Sequence, residues 1–284
     1  MMNDLDWGDV DRAIAAGLDE DLRYGPDITS LATVPADLVS KGAVITRQAG
    51  TIAGVDVALR VFDSVLGAGN YTVLSRISDG ARVQARDVVL EIEAPVQGML
   101  TAERTMLNLL CHMSGIATAT SAWVDAVTGT HCKIRDSRKT LPGLRAVEKY
   151  AVRAGGGVNH RMGLGDEALI KDNHIVAAGS PVAALRAVRA ANPTIKCEIE
   201  VDRLEYLDQV LPEYPELVLL DNMPVWMTQM AVQRRNKVSP ETKLESSGGL
   251  TLDAAADYAG TGVDFLAVGA LTHSVKVLDL GLDM

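Results

Sequence analysis

Side chains able to bind charge are sorted by sign along the second half of the chain. Arg135, Arg138, Lys139, His160, Arg161 and Lys171 come first, the carboxylates Glu198, Glu200 and Asp221 follow, and Ser246-Ser247-Gly248-Gly249 and Gly269-Ala270 come last. Clustered cations bind anions, paired carboxylates suit a hard metal ion, and small residues before a helix offer backbone N–H groups to phosphate. Gathered on one surface, the three sets imply an enzyme for a highly anionic, phosphorylated substrate.

The segment Arg135-Asp136-Ser137-Arg138-Lys139-Thr140 packs two guanidinium groups and an ammonium into one turn, where they cannot all pair locally. It reads as an anion site or as a solvated basic loop. A second cationic pair, His160-Arg161, favours the anion site, because it follows Gly155-Gly156-Gly157, where the backbone can approach a ligand closely. Lys171 then closes the apolar run Ala168-Leu169-Ile170, and a lysine there is costly to bury unless paired. Its neighbours Asp172, Asn173 and His174 are placed to orient it.

Glu198 and Glu200 alternate with Cys197, Ile199 and Val201, so both carboxylates share one face of a strand. Glu200 and Asp221 at neighbouring strand ends suit one Mg²⁺, or else ion pairs with Lys171 or Lys196. Ser246-Ser247-Gly248-Gly249 precedes a helical run over 252–258, and together with Gly269 it reads as a phosphate cradle. His273 either adds a donor there or serves a surface, whereas His112 and His131 read as structural.

The elements that must position these residues follow from hydrophobic rhythm. Short apolar runs at 132–136, 168–172, 197–201, 217–221, 243–246 and 263–269 alternate with helical stretches, which implies parallel strands. In a closed parallel barrel every strand end opens onto one face. The stretch 116–272 is too short for the ~250 residues of an eight-stranded barrel, so an incomplete barrel of six or seven strands is expected. Earlier, helical patterns at 9–22 and 56–66 flank alternating segments at 41–47, 72–77 and 88–94, an antiparallel sheet in an α+β sandwich. A long helix over 101–127 carries Met106, Leu109, Leu110, Met113 and Ile116 on one stripe, with Thr101 as its N-cap and Glu103 and Arg104 in its first turn. The fold class is α/β: a sandwich domain at 1–115, an incomplete barrel at 116–272, and a tail at 273–284 that returns to the sandwich.

Composition narrows the class. A net charge of −10 argues against a nucleic-acid or anionic-membrane surface, and makes the basic cluster at 135–171 stand out. No apolar run approaches the ~20 residues of a membrane span. The start Met1-Met2-Asn3-Asp4-Leu5-Asp6 lacks the layout of a signal peptide, and Cys111, Cys132 and Cys197 are separated and apolar-flanked. A cytoplasmic protein without a disulfide framework or zinc site is expected.

Several motifs together carry a resemblance. They are Ala102-Glu103-Arg104-Thr105 with Asn108 and Ser114-Gly115-Ile116-Ala117-Thr118; Arg135 through Arg145; Lys149-Tyr150-Ala151-Val152; Gly155 through Arg161; Leu169 through His174; Leu219-Leu220-Asp221-Asn222; and Glu245 through Gly249. The chain resembles the quinolinate phosphoribosyltransferases over nearly its whole length. The resemblance implies conversion of quinolinate and phosphoribosyl pyrophosphate, with Mg²⁺, to nicotinate mononucleotide, pyrophosphate and CO₂ in NAD biosynthesis. It also implies a homodimer with shared active sites, sometimes assembled further, in which Arg104 reaches the neighbour's pocket. By the same resemblance Arg138, His160, Arg161 and Lys171 hold the ring carboxylates, and Lys139 lies beside the phosphoribosyl donor. Glu200 and Asp221 serve its ribose and metal, and Ser247, Gly248, Gly249, Gly269, Ala270 and His273 hold its phosphate. Two rivals stand beside this reading: a paralogous transferase of the molybdate-transport-associated type, and a barrel lyase or regulatory phosphosugar-binding module. The complete set Arg104, Arg138, His160 and Arg161 separates the chain from the paralogue.

Overall fold

The computed structural model describes residues 5–284, so the acidic start at 1–4 lies outside the described residues. In chain order the strands are β1 (Val39–Thr46), β2 (Gly50–Thr51), β3 (Thr72–Arg76), β4 (Arg82–Val83), β5 (Val88–Pro95) and β6 (Lys133–Arg135). They continue with β7 (Ala168–Ile170), β8 (Cys197–Val201), β9 (Leu217–Asp221), β10 (Lys243–Ser247), β11 (Phe265–Ala267) and β12 (Leu280–Asp283). The chain forms two compact units, Met1–Ser121 with Thr140–Gly156 and Ala270–Met284, and Ala122–Lys139 with Gly157–Gly269.

The first unit holds an antiparallel sheet in the order β12-β1-β5-β3. Along β1, Gly42, Val44 and Thr46 are buried while their neighbours are not, the alternation of a sheet with one covered face. The helix Val55–Leu66 buries Val57, Ala58, Val61 and Phe62, and its N-terminal backbone is capped by Asp79, which accepts from Gly54 and Val55.

The long helix starts earlier than its sequence suggests, at Val96, and runs to Ala126. Thr101 is therefore no N-cap: its hydroxyl donates to the Gln97 carbonyl one turn back. Glu103 and Arg104 likewise leave the first turn. Burial of Val96 and Met99 draws the preceding turn into the helix without a polar cap. The expected stripe of Met106, Leu109, Leu110, Met113 and Ile116 is buried.

The helix Arg145–Ala154 also belongs to this unit, although it lies between two barrel segments in sequence. Polar contacts tie it there: buried Glu148 lies 2.9 Å from His112 Nε2, and the Tyr150 hydroxyl donates to Asp79 at 2.7 Å. Division of the chain at one point does not foresee this return.

The second unit is a parallel sheet in the order β6-β11-β10-β9-β8-β7. A single parallel bridge from Arg135 to Val158 adds a seventh rung beyond β6, and among the described residues β6 and β7 do not pair. This is the incomplete barrel. Runs expected at 132–136, 168–172 and 263–269 shorten to three residues each, because the backbone leaves the sheet where charge or glycine begins.

Gly115 sits where the carboxyl-terminal segment crosses the long helix. A Cβ on Gly115 would stand 2.3 Å from the Lys276 carbonyl oxygen and 2.9 Å from Val277 Cα, backbone atoms that cannot step aside. Gly115→Ala is expected to lower stability by roughly 1–3 kcal/mol, whereas Gly165→Ala, with open space around its Cβ, leaves it nearly unchanged. Thermal and urea unfolding of the two variants measure this contrast.

Candidate active site

At the carboxyl ends of the barrel strands lies a cavity of about 620 Å³. Arg138 and Lys139 enter it from the turn after β6, His160 and Arg161 from the segment after the Val158 bridge, and Lys171 from the end of β7. Glu200 of β8, Asp221 of β9, Ser247 with Gly248 and Gly249 after β10, and Gly269 after β11 complete it. The cavity thus brings together eleven of the residues expected from sequence. Arg104, Ala270 and His273 belong to the first unit and are not among its lining. Glu245, Ser137 and Asn222 line it without having been expected there. The one available signal for Glu245 is a carboxylate inside the otherwise uncharged run Leu244–Ser247.

Arg135 does not join the anion-binding cations. It turns inward, buried, where Nη1 donates to Glu245 Oε2 at 2.5 Å and the guanidinium lies 4.8 Å from the centre of the Phe265 ring. Ser246 also faces inward and is fully buried, leaving the lining to Ser247. Beneath the cavity His160 Nε2 lies 2.9 Å from Glu198 Oε2 and 3.6 Å from Glu245 Oε1. Neither contact is aligned as a full two-centre hydrogen bond, as befits one N–H between two acceptors. The other ring nitrogen, Nδ1, accepts the Arg161 backbone N–H at 2.7 Å, and the His160 backbone N–H donates to buried Asp136 at 2.8 Å.

Burial pushes the Glu245 carboxyl up to about 7, with repulsion from Glu198 adding to it and Arg135 and His160 opposing. Glu198 rises to about 7 as well, chiefly by burial, with Arg135 and Arg161 opposing and Glu167 and Glu200 adding.

Above this floor the wall is cationic. Arg161 is only 8% exposed; its Nη1 donates to the Glu167 carbonyl at 3.0 Å, while its Nε is buried without a hydrogen-bond partner. Burial and the nearby Arg138 guanidinium hold Arg161 below the ordinary arginine range, despite Asp166, Glu198 and Glu167. A cation kept where its charge is penalised is stabilised by an arriving anion.

Lys171 is not buried as its position at the end of an apolar run suggested. The strand stops at Ile170, the ammonium is about half exposed, and Nζ lies 2.7 Å from Glu200 Oε2. Its backbone N–H donates to His174 Nδ1, so His174 orients the main chain there. Asp221 accepts from the Asn222 side chain at 2.8 Å, and Asn222 itself adopts left-handed backbone at φ 54°. Gly248 at φ 90° passes so near that a Cβ would stand 2.3 Å from Asn222 Oδ1, so only glycine lets the two loops meet. The helix expected over 252–258 is a 3₁₀ turn, Leu252–Ala254, followed by Ala255–Gly260. Its dipole is correspondingly small, and loop backbone N–H groups are left as the main phosphate donors.

The three cysteines are free. Burial pushes the Cys132 and Cys197 thiols up to about 12 and about 11, which leaves both unreactive.

Two family models match the chain: the quinolinate phosphoribosyl transferase N-terminal domain over residues 27–114 and the C-terminal domain over residues 116–283. The chain belongs to the quinolinate phosphoribosyltransferase family. Within that family it is 64% identical over 284 residues to the nicotinate-nucleotide pyrophosphorylase (carboxylating) of Mycobacterium leprae, covering the whole of both chains. It is 38% identical to the probable enzyme of that name in Bacillus subtilis, covering 93% of this chain and 90% of the relative. The solved nicotinate-nucleotide pyrophosphorylase of Francisella tularensis superposes with a TM-score of 0.92 at 35% identity, covering 100% of this chain and 98% of the other. The family's domain division falls at residue 115, whereas contacts return 140–156 to the first unit.

For this member of the quinolinate phosphoribosyltransferases, the raised carboxyl of Glu245 predicts a pH-dependent stability. Its folded pKa of about 7 lies above its ordinary value of 4.5, so its stabilising contribution is whole below 4.5 and is lost as pH rises through about 7. The wild-type thermal midpoint is expected to fall between pH 5 and pH 8. In Glu245→Gln the fall should be smaller, because Arg135 then faces Glu198 alone. Calorimetric scans of both proteins across that range are the test.

Proposed function

We propose that the chain transfers the phosphoribosyl group of phosphoribosyl pyrophosphate to quinolinate with decarboxylation, giving nicotinate mononucleotide, pyrophosphate and CO₂. The observation that carries this reading is the buried Arg161 guanidinium beside Arg138, a pair of cations suited to a small dicarboxylate. Family membership supports it independently. Arg138 and Arg161 take the ring carboxylates, Lys139 and Lys171 add positive charge, and His160 belongs to the same wall. The left-handed glycine loop at 248–249, with Ser247 and Gly269, receives the 5′-phosphate, and Ala270 and His273 follow Gly269 in the chain. The protein acts as a cytoplasmic homodimer.

Glu200 and Asp221 fit Mg²⁺. They are oxygen donors at the ends of adjacent parallel strands, both line the cavity, and a hard cation prefers a few carboxylates together with ligand oxygens. Bound there, Mg²⁺ supplies positive charge toward the pyrophosphate. Lys171, already against Glu200, holds a second positive charge at the same edge.

In the reaction, the ring nitrogen bonds to the anomeric carbon as the bond to pyrophosphate breaks, its electron pair leaving with pyrophosphate. The ring nitrogen, now positive, stabilises the electron pair left when the adjacent carboxylate departs as CO₂, and the ring carbon takes up a proton. The cationic wall orients the carboxylates and lowers the cost of concentrating negative charge. No side chain needs to form a covalent bond.

Incubation with quinolinate, phosphoribosyl pyrophosphate and Mg²⁺ should consume quinolinate and release CO₂; absence of both rejects the reading. Arg138→Ala is expected to weaken quinolinate binding by roughly 2–4 kcal/mol, measured by calorimetry, and unchanged affinity removes Arg138 from the clamp.

Arg104 stands well inside its helix, so no unfavourable helix dipole calls for a compensating partner. Its role in a neighbouring subunit's site rests on the family resemblance. Subunit exchange between the inactive variants Arg104→Ala and Lys171→Ala should restore about a quarter of wild-type activity, since half the dimers are mixed and each has one intact site of two. No recovery after proven exchange keeps Arg104 out of a shared site.

A further inference from the structure

His160, Glu198 and Glu245 have the residue types of a metal site, and their ligand atoms lie within 4.8 Å of one another. The hydrogen bonds argue otherwise. A backbone N–H can only donate, so Nδ1 of His160 is an acceptor and the ring proton resides on Nε2. That nitrogen has no lone pair for a metal. It faces Glu198 Oε2 at 2.9 Å and Glu245 Oε1 at 3.6 Å. Nδ1 is thereby taken by the Arg161 backbone, and Nε2 faces the two carboxylates.

Glu198 then needs an explanation of its own. It is fully buried between Cys197 and Ile199, and neither of its oxygens has an aligned hydrogen-bond partner, although Oε2 lies 2.9 Å from His160 Nε2. Arg135, the charge that most opposes the rise of its carboxyl, already donates to Glu245. A carboxylate in that position is costly, and an aliphatic side chain would pack the barrel without the cost. What the carboxylate offers beyond packing is an acceptor for the Nε2 proton.

We propose that Glu198 is a positioning residue for the dicarboxylate substrate, acting through the His160 ring on Arg161. Glu198 fixes the ring's tautomer and plane, the ring's Nδ1 fixes the Arg161 backbone, and the Glu167 carbonyl fixes one end of its guanidinium. Asp136 secures the same segment from the other side through the His160 backbone N–H and the Asn159 side chain. Arg161 is thus delivered to the cavity wall at a set distance from Arg138. The proposal rests on the quinolinate reading above.

The experiment compares Glu198→Leu, which removes the acceptor, with Glu198→Gln, whose amide oxygen still accepts the Nε2 proton. Quinolinate and phosphoribosyl pyrophosphate affinities are measured separately by calorimetry. Glu198→Leu should weaken quinolinate binding at least about tenfold while the donor's affinity moves less than about twofold, and Glu198→Gln should stay within about threefold of wild type for both. Unchanged quinolinate affinity in Glu198→Leu, equal loss for both ligands, or a glutamine variant as weak as leucine each overturns the proposal. Should Glu198→Leu not fold, His160→Asn and His160→Leu decide, because an asparagine oxygen can replace Nδ1 as acceptor for the Arg161 N–H. Asparagine must then bind quinolinate better than leucine does, and equal weakness of the two rejects the proposal. A wild-type protein that binds no quinolinate refutes the functional reading instead.

Discussion

Beneath the cavity one guanidinium faces two carboxylates. Arg135 lies in the barrel interior against Glu245 and the Phe265 ring, with Glu198 completing an excess of negative charge around it. Parallel barrels usually fill such a layer with branched apolar side chains. Here the ionic layer lets the wall above it remain positive, because the carboxylates below offset part of the repulsion among Arg138, Arg161 and their neighbours. It also ties together pieces distant in sequence: β6 through Arg135 and Asp136, β8 through Glu198, β10 through Glu245, and the 159–161 segment through the His160 ring.

Short strands serve the same end. β6, β7 and β11 are three residues each, so the backbone turns out of the sheet almost immediately and sets charged or glycine residues at the mouth. Where a longer strand was expected, the residues lost at its carboxyl end include Asp136, Lys171 and Gly269. The left-handed backbone at Asn222, Gly248 and Gly249 continues this on the opposite side. These three left-handed residues at two touching loops shape a concave backbone surface that side chains alone would not form.

The barrel was legible wherever hydrophobic rhythm alone fixes an element. Cys197–Val201 and Leu217–Asp221 begin and end where their apolar alternation does, because both are central strands covered on two faces. Periodicity failed where burial overrides local chemistry. Thr101 has the right type for an N-cap, yet Val96 and Met99 gain more by extending the helix than Thr101 gains by capping it. The sign of a side chain predicted the site better than its direction did. Arg138, Lys139, Arg161 and Lys171 reach the cavity, but Arg135 turns under the floor, since one loop cannot reveal which of its cations faces Glu245 four strands later in the chain. Glu245 was hidden for the converse reason, as the adjoining serines and glycines drew the phosphate reading. Specific roles came from the resemblance, which no periodicity supplies.

The polypeptide passes between its two units four times, after Ser121, Lys139, Gly156 and Gly269. Two of these passages adjoin residues of the cavity, Lys139 and Gly269, and a third comes shortly before His160. Modular inheritance is therefore closed to this architecture. A gene fission at residue 115 would strand the helix Arg145–Ala154 and the strand Leu280–Asp283 on the wrong fragment, leaving Glu148 without His112 and β1 without an edge partner. Neither unit can be exchanged as one continuous segment without cutting the chain beside residues that line the cavity. Recombination can reach this catalytic surface only by replacing the chain nearly whole.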